Sequence, residues 1–172
     1  MSTIGFQLMK LMFKVRDLLG PRLNVLKEAE IQRGFSVLDF GCGPGGYIMP
    51  LVELVGPHGK IYALDINPLA IRDIKKIAAR NGIQNIETIE SDCSTGLSDN
   101  SVDAVLLYDV FHDLTRPDDV LRELHRILKS EGILSFSDHH MKKEEVLNRV
   151  TGAGIFRFVR RGKKTYSFAK AD

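Results

Sequence analysis

Apolar residues alternate along the chain between short continuous runs and longer stretches with helical spacing. Continuous runs of about four to eight residues are typical of buried strands, and apolar positions three or four apart are typical of helices that bury one face. Alternating strands and helices favour a mostly parallel sheet with helices on both faces. Gly132 is expected to end the helix before the fifth strand. The pattern predicts strands near 37–40, 60–66, 86–90, 102–107, 133–137, 155–161 and 164–170.

A helical segment precedes the first strand. Residues 3–19 form an amphipathic pattern that Gly20-Pro21 ends, and a second helix is expected to end near Gly34. We therefore divide the chain into a helical extension, 1–33, and one α/β domain, 34–172. The first helix is interpreted either as packing on the domain edge or as a lid, and mixed charges make a membrane-surface helix the least favoured reading. The apolar wall of such a lid consists of Met9, Met12 and Phe13.

The first strand runs into a glycine-rich loop, VLDFGCGPGG at 37–46, before a helical pattern resumes. Glycines let a backbone approach a ligand closely, and a helix start presents unpaired N–H groups, so this junction predicts a nucleotide pocket. Gly41-x-Gly43-x-x-Gly46 also fits the dinucleotide fingerprint. However, Asp39 places a negative charge where a pyrophosphate is disfavoured, and an acid there suits a ligand that carries an ammonium and a sulfonium.

These residues closely resemble the first motif of the class I S-adenosylmethionine-dependent methyltransferases. The resemblance is greatest to the small-molecule branch (methyltransferase type 11), which includes the ubiquinone and menaquinone biosynthesis methyltransferases. The phrase LRELHRILKSEGILSFSDHH, at 121–140, resembles a later helix and strand of that family. The resemblance implies a Rossmann-like, seven-stranded, mostly parallel sheet whose last strand is antiparallel. It also implies S-adenosylmethionine as the cofactor and S-adenosylhomocysteine as the product.

Acids at the ends of the next two strands are candidate cofactor contacts. Asp65 follows Asp39 at about the spacing expected for an acid that accepts hydrogen bonds from the ribose hydroxyls of a cofactor bound at the first loop. It could instead be an ordinary helix-start acid, but Asn67 is already available as the N-cap. Asp92 is expected to face the adenine amino group, as an acid does in the family, or else to begin a turn. The cofactor-binding set is Asp39, Gly41, Cys42, Gly43, Gly45, Asp65, Ile66, Asp92, Cys93 and Tyr108.

The tip of the fourth strand is where the resemblance places the acceptor and the transferred methyl group. His112 is the candidate catalytic residue, because imidazole titrates near neutral pH, although a structural histidine is the alternative. Tyr108, Phe111 and His112 are expected to enclose the acceptor together with the N-terminal helix. Asp109 and Asp113 with His112, or the pair His139-His140, could suggest a metal. Neither group is a dense ligand set, and adjacent residues point apart in an extended chain, so no metal is predicted.

Composition narrows the class of partner. The 172 residues are 44% hydrophobic and carry 24 basic and 22 acidic side chains, for a net charge of +2. A balanced, interspersed charge favours a small-molecule acceptor over nucleic acid. No apolar run reaches membrane-spanning length and no signal-peptide pattern is present, so stable membrane insertion is not expected. Two cysteines, Cys42 and Cys93, are interpreted as reduced thiols of a cytoplasmic protein.

The sequence thus predicts a methyltransferase that transfers a methyl group from S-adenosylmethionine to a small molecule. Two alternatives stay open. An NAD(P)-dependent oxidoreductase would use the same glycines and Asp65, but it would leave Asp39 and Asp92 unexplained. A non-catalytic module that binds S-adenosylmethionine would keep every binding motif.

Overall fold

The computed structural model describes residues 22–171, so the helix expected at 3–19 and its possible role as a lid lie outside the described residues. Strands and helices alternate through most of this part of the chain. The helices are α1 (Arg22–Glu28), α2 (Ile48–Val55), α3 (Pro68–Asn81), α4 (Pro117–Ile127) and α5 (Lys143–Thr151), with a 3-10 turn at Phe111–Asp113. The strands are β1 (Ser36–Phe40), β2 (Lys60–Asp65), β3 (Ile86–Glu90), β4 (Val102–Tyr108), β5 (Leu128–Ser137), β6 (Phe156–Arg161) and β7 (Tyr166–Lys170).

One sheet holds all the described strands, in the order β3-β2-β1-β4-β5-β7-β6. Strands β1 to β5 pair in parallel, and β7 is antiparallel to both β5 and β6. This confirms the predicted Rossmann-like sheet with an antiparallel last strand. β1 pairs with β2 on one side and β4 on the other, so the chain reverses its direction of winding there. A crevice at the carboxyl ends of the strands is expected at such a switch point.

The core lies in two layers, one on each face of the sheet. On one face, α1, α2 and α3 bury residues such as Leu26, Leu51 and Ile74. On the other, α4 and α5 bury residues such as Leu124 and Val146. Helices on both faces explain why the central strand β4 is apolar at almost every position, since both sides of it are covered.

Two predicted boundaries were wrong. Gly132 does not end a helix: α4 ends at Ile127, and the fully buried Leu128 already pairs with Val102 in the sheet. The register shifts between this pair and the next, Ala104 with Ile133, and Gly132 lies within β5 between the two pairs. Pairing with β4 therefore prevails over the helical pattern in the sequence. The helix before β1 ends at Glu28, not near Gly34, because the chain turns at Glu30, whose φ is 52°.

A side chain of α1 joins this helix to the turn between β6 and β7. Glu28 Oε2 accepts hydrogen bonds from Lys164 N, at 3.0 Å, and from both Thr165 N and Thr165 Oγ1, at 3.0 and 2.8 Å. Arg160 also donates to the Glu28 carbonyl oxygen at 2.9 Å. Residues near the two ends of the described chain are thus in direct contact.

Candidate functional site

A cavity of about 720 Å³ opens at the carboxyl ends of β1, β2 and β4. Its wall combines the glycine loop after β1, the loop after β2 and the segment after β4, as expected for a switch point. Most of the predicted cofactor residues line it. These are Asp39, Gly41, Cys42, Gly43, Asp65, Ile66, Asp92 and Tyr108.

Asp65 joins two loops of the cavity wall. Its Oδ2 accepts a hydrogen bond from Gly43 N and its Oδ1 accepts one from Asn67 N, both at 2.8 Å. Burial raises the pKa of Asp65, and these two backbone hydrogen bonds partly oppose that rise. Asn67 is the N-cap of α3, as predicted: its side chain accepts a hydrogen bond from Leu69 N at 3.0 Å. Each carboxylate oxygen of Asp65 keeps a further lone pair for a ligand hydroxyl.

Two polar atoms of the wall lack partners. Among residues 22–171, neither Asp39 Oδ2 nor Asn67 Nδ2 has a hydrogen-bond partner, although both atoms are buried. Burial raises the pKa of Asp39 to about 7, with Arg22 opposing the rise and Asp65 adding to it. Buried polar groups are normally hydrogen-bonded, so these atoms indicate a polar ligand in the cavity. A cationic donor suits Asp39, and a ligand acceptor suits Asn67.

Arg22 is a cavity residue that the sequence analysis missed. It is 8% exposed, lines the cavity, and holds its guanidinium 4.7 Å from the centre of the Tyr47 ring. A Cβ at Gly46 would overlap this guanidinium, so Gly46 makes room for Arg22. The third glycine of the apparent dinucleotide fingerprint thus has a packing role here. No local signal in the sequence links Arg22 to the glycine loop, because the two are separated along the chain and meet only in the folded structure.

Gly45 and Cys93, both predicted to contact the cofactor, are not among the lining residues. Gly45 has a φ of 82°, and a Cβ there would collide with Ile74 and Ile77, so this glycine allows the loop to pack on α3. The Cys93 side chain packs against the core layer that contains α4 and α5, and burial raises its pKa. Both residues support the wall from behind.

Two further wall residues, Cys42 and Tyr108, are buried and neutral. Burial raises the pKa of Cys42, and the nearby charges of Asp39 and Asp65 raise it further. Burial likewise raises the pKa of Tyr108, whose hydroxyl lies 2.7 Å from Ser135 Oγ. Neither side chain can therefore serve as a base near neutral pH.

At the mouth of the cavity the predicted residues are exposed. Asp92 forms an ion pair with Arg116, another residue that lines the cavity, at 3.1 Å. Ile66 is 69% exposed, which is unusual for an isoleucine and leaves an apolar surface available to a ligand ring. The mouth therefore combines the carboxylate of Asp92 with the apolar surface of Ile66.

His112 lies behind the wall, beside Asp138 at the end of β5. Its Nδ1 is 2.9 and 3.0 Å from the two carboxylate oxygens of Asp138, and its backbone N donates to Oδ2 at 3.1 Å. Burial disfavours the charged form of Asp138, but hydrogen bonds from His112 and from His140 N hold its pKa below the usual value. His112 is not among the lining residues of the cavity. Asp138 was missed, although it immediately follows the fifth strand.

The matched region covers most of the chain: residues 31–167 match the family described as "Methyltransferase domain". The chain belongs to the methyltransferase domain family. A demethylmenaquinone methyltransferase of Geobacillus stearothermophilus is 34% identical over 115 residues, which make up 65% of this chain and 48% of that protein. One from Lactobacillus johnsonii is 32% identical over 116 residues, or 66% of this chain and 47% of that protein. The chain spans about half the length of the curated relatives it matches.

Solved methyltransferases share the fold. An S-adenosylmethionine-dependent methyltransferase from Aquifex aeolicus superposes with a TM-score of 0.77 at 28% identity, covering 92% of this chain and 97% of that one. Together with the family match, this confirms the predicted resemblance to the class I methyltransferases and S-adenosylmethionine as the cofactor of the domain. The unpartnered atoms of Asp39 and Asn67 fit such a methyltransferase cofactor, which carries both an ammonium and hydrogen-bond acceptors.

Proposed function

We propose that the protein transfers a methyl group from S-adenosylmethionine to a small-molecule acceptor. The observation that carries the proposal is Oδ2 of Asp39, a buried atom of a cavity-lining residue that has no hydrogen-bond partner within residues 22–171. A buried acid without a hydrogen-bond donor is costly. An ammonium group of a ligand would remove that cost, whereas a pyrophosphate would increase it.

The remaining wall residues are assigned by charge and position. Asp65 accepts the ribose hydroxyls, while Asp92 accepts the adenine amino group and Ile66 covers one face of the ring. Arg22 supplies the positive charge for the carboxylate of the methionine moiety, because it is a buried cation on the wall of the same cavity as Asp39. The negative Asp39 and the positive Arg22 thus match the ammonium and the carboxylate of the methionine moiety.

The bound cofactor supplies a methyl group activated by a positively charged sulfur. The chain itself then has to hold the acceptor in line and exclude water, effects worth roughly 7–11 kcal/mol in well-oriented systems. The buried, neutral Tyr108 and Cys42 serve as wall, not as bases. The catalytic role of His112 stays a prediction: Asp138 holds Nδ1 and leaves Nε2 as the ring atom able to accept a proton.

The acceptor is proposed to be small. Several relatives are named demethylmenaquinone methyltransferases, which supports an oxygen-bearing ring compound as the class of acceptor. Phe111 does not help to enclose it, because this side chain is 4% exposed and packs against Phe136 in the core. In residues 22–171, no helix is both long enough and apolar enough to cross a bilayer. The exclusion of nucleic acid and a cytoplasmic location stay predictions from the sequence.

Calorimetry with S-adenosylmethionine and with NAD tests the proposal, followed by a methyl-transfer screen with labelled cofactor. We expect saturable binding of S-adenosylmethionine alone, and its marked weakening in Asp39→Asn. Binding of NAD instead would favour the oxidoreductase. Binding of S-adenosylmethionine without transfer to any acceptor in a broad screen would favour the non-catalytic module.

Deleting residues 1–19 tests the predicted lid once an acceptor is known. We expect the shortened protein to bind S-adenosylmethionine with normal affinity but to lose turnover, because an open cleft neither positions the acceptor nor excludes water. Full turnover by the shortened protein would show that the segment only packs on the domain.

A further inference from the structure

Three potential metal ligands converge where β4 and β5 end. Asp109 follows β4, and Asp138 and His139 follow β5; one ligand atom from each lies within 4.8 Å of the others. The two strands are parallel neighbours, and their last residues, Tyr108 and Ser137, are paired. The sheet therefore brings together residues that are far apart in the sequence. No single sequence motif contains all three.

The geometry within this cluster suits a shared ion. His139 Nδ1 lies 2.8 Å from Asp109 Oδ1. Two ligands of one transition-metal ion, each bound at about 2.0–2.2 Å, are separated by a similar distance, roughly 3 Å. An ion bound by both atoms would take the place of their direct contact, because a metal ligand presents a lone pair and not a proton.

The carboxylate of Asp138 is held in place before any ion binds. Its side chain is fully buried, and it accepts hydrogen bonds from His112 N and from His140 N at 3.1 and 3.0 Å. His112 Nδ1 contacts the same carboxylate. Such outer contacts orient metal ligands in proteins. By contrast, 64% of the His139 side chain is exposed, which leaves a path for an ion to enter.

We propose that Asp109, Asp138 and His139 bind one divalent transition-metal ion, such as Mn²⁺ or Zn²⁺. Two carboxylates and an imidazole suit these ions. Three protein ligands leave at least one coordination position open. Asp109 also lines the cavity, so the ion lies beside it. Resting on the proposed function, this places an oxygen atom of the acceptor in the open position and narrows the acceptor to compounds whose hydroxyl or carbonyl oxygen binds a metal.

The test is a metal titration of the full chain after a chelator has removed any bound metal. Binding of Mn²⁺ is detected by electron paramagnetic resonance, and binding of Co²⁺ by visible absorption. We expect one ion per chain, and at least a roughly tenfold loss of affinity in Asp109→Asn and in His139→Ala. Asparagine tolerates the left-handed backbone at position 109, where φ is 52°, so the first variant keeps the loop conformation.

Two variants serve as matched controls. Asp113→Asn removes an exposed carboxylate from the same loop, and His140→Ala removes the neighbouring imidazole but keeps the backbone N–H that Asp138 accepts. Both should bind the ions like the wild type. The inference is overturned if neither ion binds saturably, or if the ligand variants bind as tightly as the controls.

Calorimetry with S-adenosylmethionine separates this inference from the proposed function. His139→Ala should bind the cofactor like the wild type, since His139 is not among the residues that line the cavity. Cofactor binding without metal binding refutes the metal site alone. Metal binding without cofactor binding refutes the proposed function.

Discussion

Replacing Asp65 by asparagine tests the centre of the cofactor site with almost no change of shape. The carboxylate accepts Gly43 N with one oxygen and Asn67 N with the other, each at 2.8 Å. Asparagine offers only one oxygen, so its amide nitrogen must face one of these two N–H donors. One hydrogen bond within the wall is lost, and the charge that is proposed to attract the ribose hydroxyls is removed.

Each loss has its own expected magnitude. A buried N–H left without an acceptor costs about 1–3 kcal/mol, so the free energy of unfolding should fall by that amount. Hydrogen bonds to a charged group contribute about 1.5–3 kcal/mol, so the affinity for S-adenosylmethionine should fall by roughly ten- to a hundredfold. The domain should stay folded, because a loss of about 1–3 kcal/mol is less than the total stability of a typical domain, about 5–15 kcal/mol.

Calorimetry measures the affinity, and urea denaturation measures the stability. Glu90→Gln is the matched control, since Glu90 pairs with Asp65 in the sheet, is exposed, and carries the same charge outside the cavity. Wild-type affinity in Asp65→Asn would refute the assignment of Asp65 to the ribose. An equal loss of affinity in Glu90→Gln would show that the effect of Asp65→Asn comes from the overall negative charge at this edge of the sheet and not from contact with the ribose.

Two further predictions depend on pH. The pKa of Asp39 is raised to about 7 in the folded protein, so folding without a ligand favours the neutral carboxyl group. The free energy of unfolding of the unliganded protein should therefore fall as the pH rises from about 4 through about 7. A ligand ammonium group prefers the ionised form of Asp39, so the affinity for S-adenosylmethionine, measured by calorimetry, should rise with pH near 7. Asp39→Asn should abolish that rise. A flat wild-type profile would contradict the assignment of Asp39 to the ammonium group. Glu123 accepts hydrogen bonds from Arg126 and Thr95, which together lower its pKa to about 2 despite partial burial. In urea denaturation, Glu123→Gln should therefore be about 1–3 kcal/mol less stable than the wild type at neutral pH, a difference that should shrink as the pH falls from about 4.5 toward 2; a constant difference would disprove the ionic cause.

The features that could be predicted from the sequence are those with a local cause. Asn67 and Pro68 determine the start of α3 through a hydrogen bond to a residue only two positions away. The apolar run of β4 similarly reflects burial on both faces of the sheet. In each case neighbouring residues carry the whole signal.

Features that depend on distant contacts could not be predicted. Leu128 joins the sheet because Val102 pairs with it, and nothing near Leu128 in the sequence indicates that partner. Arg22 and Asp138 become site residues only when the sheet assembles, since each is brought to its position by an element far away along the chain. The same reason hid the convergence of Asp109 with His139.

The contact between Glu28 and Thr165 has a consequence for the order in which this protein is made. Arg22 lies on the helix that Glu28 attaches to the turn before β7, and the attachment point Thr165 is synthesised 137 residues after Glu28. Domains generally fold as units during synthesis. The cofactor cavity should therefore be completed only after the turn that contains Thr165 has been synthesised. A nascent chain that stops before Thr165 would contain all the residues assigned to the cofactor and still bind S-adenosylmethionine poorly.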